Sequence, residues 1–172
     1  MVVMSLTDDE EFVAFVRAHG RALARTATLI AGDRVAGEDL LQTALAQTYA
    51  RWRSKRDIVD LDQYVRVVLV RAHISWRRRL SSTEHPLDVA PDDAPAPDIA
   101  DRMVDRGVLL SALRQLPPKQ RATLVLRFFD DLSEADTAKA LGCSAGSVKQ
   151  HSSRGLAKLR DLLGADTMAA LL

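Results

Sequence analysis

From Asp8 to Arg79 apolar residues recur every three or four positions, with no proline and only three glycines, at 20, 32 and 37. That period is helical, and the glycines are predicted to punctuate the block into separate helices. Phe12, Phe15, Val16, His19 and Leu23 make one stripe, and Leu41, Leu45, Thr48, Tyr49 and Trp52 a second. Leu61, Tyr64, Val65, Val68, Ala72 and Trp76 trace a third along a longer helix. Each stripe reads as a core face, because a helix buries its apolar side against its neighbours. The stretch "SSTEHPLDVAPDDAPAPDIAD" then breaks the period with four Pro and five Asp, and reads as a flexible, partly extended linker. Helical spacing returns from Val104 as four short helices: "VLLSALRQL" stopped by Pro117 and Pro118, then "KQRATLVLRFF", "LSEADTAKALG" and "CSAGSVKQHSSRGLAKLR". The expected fold is all-α, with two small helical domains at residues 8–80 and 106–164 joined by an acidic, Pro-rich linker at 81–105.

Charge sharpens the division. Residues 1–80 carry 13 Lys/Arg against 10 Asp/Glu, residues 81–105 carry 1 against 7, and residues 106–172 carry 10 against 6. Two basic blocks around an acidic strip suit a polyanionic partner, a pattern that the net charge of +1 conceals. The single cysteine, Cys143, makes no internal disulfide, which fits the cytoplasm. No apolar run approaches the roughly 20 residues of a membrane span, and "MVVMSLTDDEEF" turns acidic too early for a signal peptide. An enzyme reading lacks its parts. His19, His73, His85 and His151 have no metal-ligand spacing, Cys143 sits among small turn residues, and no Gly-rich phosphate loop is present. Neither a cofactor nor a metal is expected.

The segment with the most specific chemistry is 133–160. Ser133 is placed to cap "EADTAKAL", Gly142 to end it in a left-handed turn, and Ser144 to cap the next helix. Ala138 and Val148 have the spacing of a helix-turn-helix, in which a small residue lets two helices cross closely. In that geometry Val148, Gly155, Leu156 and Leu159 face inward. The other side carries Ser144, Ala145, Gly146, Lys149, Gln150, Ser153 and Arg154, the residue types that reach base edges and phosphates in a major groove.

Two motifs in order then make the chain resemble a known family. "AGEDLLQTALAQTYARW" is similar to the acidic-Asp-Leu-x-Gln helix of the extracytoplasmic-function sigma factors, the two-domain initiation subunits of bacterial RNA polymerase within the sigma-70 family. "LRQLPPKQRATLVLRFFDDLSEADTAKALGCSAGSVKQHSSRGLAKLR" resembles that family's fourth conserved region. The resemblance implies an alternative sigma factor that binds core polymerase through the β′ clamp and the β flap and directs initiation at promoters. An anti-sigma factor is a further implied partner. By the same resemblance Asp39, Leu40, Gln42 and Thr43 face the clamp, and residues 133–160 read the minus-35 element. The helix "DQYVRVVLVRAHISWRRR" corresponds to the minus-10 reader, in which Arg66, Arg71, His73, Trp76, Arg77, Arg78 and Arg79 combine phosphate-binding cations with rings for an unstacked base. Trp76, on the apolar stripe, reads as core before it reads as a base platform. Arg71 stands where many members carry Asn, and "KQHSSRG" replaces the frequent Arg-Leu-His pattern, a variation associated with an actinobacterial subgroup.

A different class stays open at this point: a free-standing helix-turn-helix repressor or output domain, which would need palindromic sites and a dimer helix. DNA binding in the absence of polymerase separates the two readings, and the linker has reach enough for the first. Some 25 extended residues span about 80–90 Å, enough for two DNA elements about 70 Å apart, two helical turns, without the domains touching.

Overall fold

Short-range capping defines the helix starts. The computed structural model describes residues 7–55, 57–82 and 100–171. Thr7 and Glu10 form a reciprocal capping box, with the Thr7 N–H donating to Glu10 Oε2 at 2.8 Å, and this opens α1 (Asp8–Ala31). Asp33 Oδ1 accepts from the Ala36 N–H at 2.8 Å at the start of α2 (Arg34–Lys55). Asp60 Oδ1 accepts from the Gln63 N–H at 2.9 Å at the start of α3 (Leu61–Ser82). Of the three glycines expected to punctuate this block, only Gly32 ends a helix, at φ 80°. Gly20 lies within α1, and Gly37 lies within α2 where a Cβ would stand 2.6 Å from Thr28 Cα, so its role is close helix crossing. One interior glycine costs a helix only about 1 kcal/mol, which tertiary packing offsets.

The apolar stripes are partly redrawn. Phe12 and Leu23 are buried, but His19 is exposed and its Nδ1 lies 3.4 Å from Asp62 Oδ1. On α3 the buried apolar residues are Val65, Leu69 and Val70, while Trp76 is 43% exposed. The reason is that α3 is covered from two sides, by α1 and α2 and by the second half of the chain, so its buried arc is wider than one stripe and turned away from Trp76.

The second half consists of α4 (Ala100–Arg114), α5 (Pro118–Leu124), a π-helical turn (Val125–Phe129), α6 (Glu134–Leu141), α7 (Ala145–Leu163) and α8 (Ala165–Leu171). Helix α3 takes in residues 81–82 and α4 residues 100–105, all of which were expected in the linker; the rest of that linker, residues 83–99, lies outside the described residues. Arg121 is 3% exposed and its Nη1 donates to the carbonyls of Leu113 and Arg114 at 3.3 and 3.4 Å, capping the negative end of α4.

The two helical halves are in contact. Leu29, Ile30 and Val70 of the first share one apolar core with Leu113, Leu124, Val125 and Leu126 of the second. Leu23, Ala27, Ala44, Val65 and Leu69 form a separate cluster within the first half. Burying a side chain such as Ile30 or Val70 is worth about 1.5–3 kcal/mol relative to exposure, which gives the seam a hydrophobic driving force.

Candidate nucleic-acid interface

The helix-turn-helix is built from local contacts. Ser133 Oγ accepts from the Asp136 N–H at 3.0 Å and starts α6, with Glu134 and Asp136 near the positive end of its dipole. Gly142 adopts φ 62°, a conformation that costs other residues energy, and the Cys143 N–H returns to Ala138 O at 3.0 Å. Ser144 Oγ then accepts from the Ser147 N–H at 3.1 Å and starts α7. Ala138 and Val148 are both buried between the helices. Further along, a Cβ on Gly155 would lie 2.9 Å from Leu124 Cδ1, so glycine lets α7 lie close against α5.

This packing turns Val148, Gly155 and Leu159 inward. On the outer side Ser144, Ala145, Gly146, Lys149, Gln150, Ser153 and Arg154 are all exposed. Lys149 Nζ stands 3.9 Å from Glu134 Oε2, a loose surface pair that leaves the ammonium available to a stronger anion. His151 is half-buried, and burial first, then Lys119 and Arg154, holds its imidazole below the ordinary pKa.

The residues expected to contact the minus-10 element fall into two groups. Arg71, Trp76, Arg77, Arg78 and Arg79 are exposed along the C-terminal half of α3. Arg66 and His73 are not: they are 9% and 1% exposed, under the second half of the chain. Arg66 Nε donates to Asp62 Oδ2 at 2.8 Å and its Nη1 to Asp130 Oδ2 at 2.6 Å. His73 Nε2 has no hydrogen-bond partner among the described residues. Its pKa is pushed down to about 4 by burial, then by the positive charges of Arg121 and Arg77, so the ring is neutral at pH 7. In this arrangement Arg66 is not presented to a ligand, because it lies on the arc of α3 that the second half covers; His73 lies on the same arc and, almost wholly buried, only borders the space between α2 and α3.

A cleft of about 470 Å³ opens between α2 and α3. Its walls are two ridges at four-residue spacing, Asp39, Thr43 and Gln47 from α2 and Arg71, Ser75 and Arg79 from α3, with Trp76 and His73 beside them. The residues expected at the polymerase clamp are therefore divided. Asp39 and Thr43 line the cleft, Leu40 also lines it while packing against both cores, and Gln42 is exposed outside it. Gln47 and Ser75 were not singled out from the sequence, although each continues an i, i+4 series already begun by an expected residue. The Arg71 and Arg79 guanidinium groups and the Trp76 indole on the α3 side suit an unstacked base with its phosphate, while the Asp39 carboxylate on the α2 side disfavours a phosphate beside it.

Residues 106–159 match the family model for sigma-70 region 4. Over 160 residues the chain is 41% identical to the RNA polymerase sigma-E factor of Streptomyces coelicolor, covering 93% of this chain and 90% of that protein. It is 31% identical over 157 residues to the ECF RNA polymerase sigma factor SigM of Mycobacterium tuberculosis, covering 91% and 79% of the two chains. Its fold is similar to that of the sigma factor RpoE from Bartonella quintana, solved in complex with the anti-sigma factor NepR. The TM-score is 0.67 at 22% identity, over 91% of this chain and 98% of that one.

Proposed function

We propose, from the premise that this chain belongs to the extracytoplasmic-function sigma factors of RNA polymerase, that α7 reads the minus-35 element and the α2–α3 cleft serves polymerase and the minus-10 element. As an alternative sigma factor the chain binds core polymerase and directs promoter-specific initiation; its role is to bind and position, and the chemistry of RNA synthesis belongs to the polymerase. The observation that carries the minus-35 assignment is the uniform exposure of Ser144, Ala145, Gly146, Lys149, Gln150, Ser153 and Arg154 on one side of α7. Small residues at its N-terminus let the backbone approach the groove, and Lys149, Gln150 and Arg154 supply the hydrogen bonds.

For the first half, the Asp39 carboxylate on the largely neutral ridge of α2, facing Arg71 and Arg79 on the ridge of α3, supports a division of labour. Asp39 and its neighbours meet the β′ clamp, while Arg71, Trp76, Arg77, Arg78 and Arg79 meet the non-template strand. Arg66 and His73 join them only in a chain whose halves have separated. The second half meets the β flap. An anti-sigma factor is a further partner, the kind of protein with which the Bartonella relative was captured. The site of action is the cytoplasm, where polymerase and promoter DNA are; no described helix is long and apolar enough to cross a membrane. The test is transcription in vitro with cognate core polymerase, with sequencing of transcript starts. Starts sharing two elements about two helical turns apart are expected. Random starts, or binding to palindromic DNA without polymerase, would instead identify a free-standing regulator.

A further inference from the structure

We propose that Asp130 is an autoinhibitory latch, a carboxylate aimed by a strained turn of the second half into a buried Thr26–Arg66 socket of the first, which holds the chain closed before polymerase is met. The side chain of Asp130 is 4% exposed. Its two oxygens lie 2.8 and 3.0 Å from Thr26 Oγ1, and Oδ2 lies 2.6 Å from Arg66 Nη1. Thr26 joins the set in both senses: its hydroxyl donates to Asp130 and accepts from Arg66 Nη1 at 3.0 Å. Asp62, the other carboxylate on Arg66, comes from α3 itself, so Asp130 is the member that ties the two halves. Beside it Arg25 Nη2 donates to the carbonyl of Phe129 at 3.4 Å.

The backbone that delivers Asp130 is independent evidence of a specialised contact. Helix α5 widens into a π-helical turn, where the Asp130 N–H bonds to Val125 O at 3.1 Å and the Leu132 N–H to Leu126 O at 2.9 Å. Asp131 follows at φ 52°, the one described non-glycine residue with positive φ. π-Helical turns concentrate at functional positions, and left-handed non-glycine residues persist only where surrounding contacts hold them. A buried ion pair contributes little net stability compared with apolar groups of the same shape, but losing one partner leaves the other charge stranded. Such a pair specifies one docked geometry and resists partial opening.

The consequence rests on the sigma-factor reading. Two promoter elements about 70 Å apart call for readers that are separated, whereas here α6 lies against α3 and the second half covers Arg66 and His73. The exposed side of α7 stays open, so what the latch withholds is the covered arc of α3 and the distance between readers. If only the open fraction of the chain loads productively, apparent affinity falls by that fraction, and polymerase binding draws the equilibrium open.

The test uses the full chain free in solution, so its outcome does not depend on the function proposed above. With Cys143 replaced by Ala, spin labels at Arg17→Cys and Lys158→Cys report the distance between halves by double electron–electron resonance. Wild type is expected to give one short distance. Asp130→Asn and the near-isosteric Thr26→Val should each raise a long-distance population by at least about tenfold, the first because buried Arg66 keeps only Asp62 as a charge partner and the second because the buried Asp130 carboxylate loses its hydroxyl donor. The neighbouring Asp131→Asn, which tolerates the left-handed backbone, should not. Circular dichroism of each variant identifies those whose halves stay helical. A wild type that is already mostly long, or folded Asp130→Asn and Thr26→Val with the wild-type distribution, overturns the latch. A promoter-directed transcription assay that fails with wild type overturns the sigma-factor reading and leaves these distances unaffected.

Discussion

Burial holds the His73 imidazole neutral, with its pKa pushed down to about 4. An unfolded histidine titrates near 6.5, so between about pH 6.5 and 4 the unfolded chain binds more protons than the folded one. Stability is therefore fully present above that window and is lost as pH falls through it. The gap corresponds to roughly 3 kcal/mol in all, about 2 of it between pH 7 and 5. The charged groups that depress His73 are Arg121 from α5 and Arg77 from α3, both cations that would repel imidazolium. Burial raises the Asp130 pKa, which has the opposite sign and opposes the loss at the acidic end. His73→Leu should flatten the fall in melting temperature between pH 7 and 5; an equal fall in the variant would assign the acid sensitivity to other groups. Exposed residues answer to a different measurement. Lys149→Ala and Arg154→Ala should each weaken minus-35 binding in holoenzyme, by about 1–3 kcal/mol where a base edge is contacted and with a smaller salt slope where a phosphate is. If affinity and salt dependence both stay at wild-type values in the double variant, this side of α7 does not face DNA.

At the scale of elements, the start, stop and exposed side of α7 follow from its own residues, but its seat does not. Gly155 is buried against Leu124, with the distances to an added Cβ at 2.9 Å from Cδ1 and 3.1 Å from Cγ. Leu124 is 1% exposed in a packed core and has little room to yield. Gly155→Val should destabilise the chain by about 1–3 kcal/mol through overpacking. Leu124→Ala in the same chain should recover part of that loss even though it is destabilising alone, a positive coupling that a double-mutant cycle of chemical denaturation reads out. Simple additivity would show that α7 moves away as a whole. The helix-turn-helix was legible because Ser133, Gly142 and Ser144 act within three or four residues of themselves. The π-helical turn carries no such signature: "VLRFF" reads as ordinary helix, and its widening is visible only from the Asp130 N–H reaching back to Val125.

Across the whole molecule, the seam between halves is where packing and backbone conformation meet. Gly32 combines φ 80° with a position at which a Cβ would lie 2.8 Å from Arg114 Cγ and 3.0 Å from Arg121 Nη1. Gly32→Val is thus strained in its own half and intrudes on the other. We expect a larger radius of gyration in X-ray scattering than for wild type, with helical content retained. An unchanged radius with a lower melting temperature would confine the effect to the end of α1. The same seam separates the expected from the observed arrangement. A long acidic linker and two apolar blocks suggested domains that need not touch, yet Leu29, Ile30 and Val70 complete the core of the second half.

What the sequence determined by itself is the set of interactions that span a turn or less. These are the capping residues, the helical periods, the Gly142 turn, and the identity of the side chains outside α7; each depends on neighbours three or four positions away. The cleft was half visible in the same way, since Asp39–Thr43–Gln47 and Arg71–Ser75–Arg79 are four-residue series. Only the tertiary structure decided which arc of α3 is buried. Trp76 therefore stands exposed although it lies on an apolar stripe, and Arg66 and His73 are covered although they lie on a basic helix. The physical reason is that α3 has neighbours on two sides, and a period shows that a helix has an apolar side without showing how many partners compete for it. Thr26 and Asp130 make the same point most sharply: they are 104 residues apart, and nothing local to either one marks it as the other's hydrogen-bond partner.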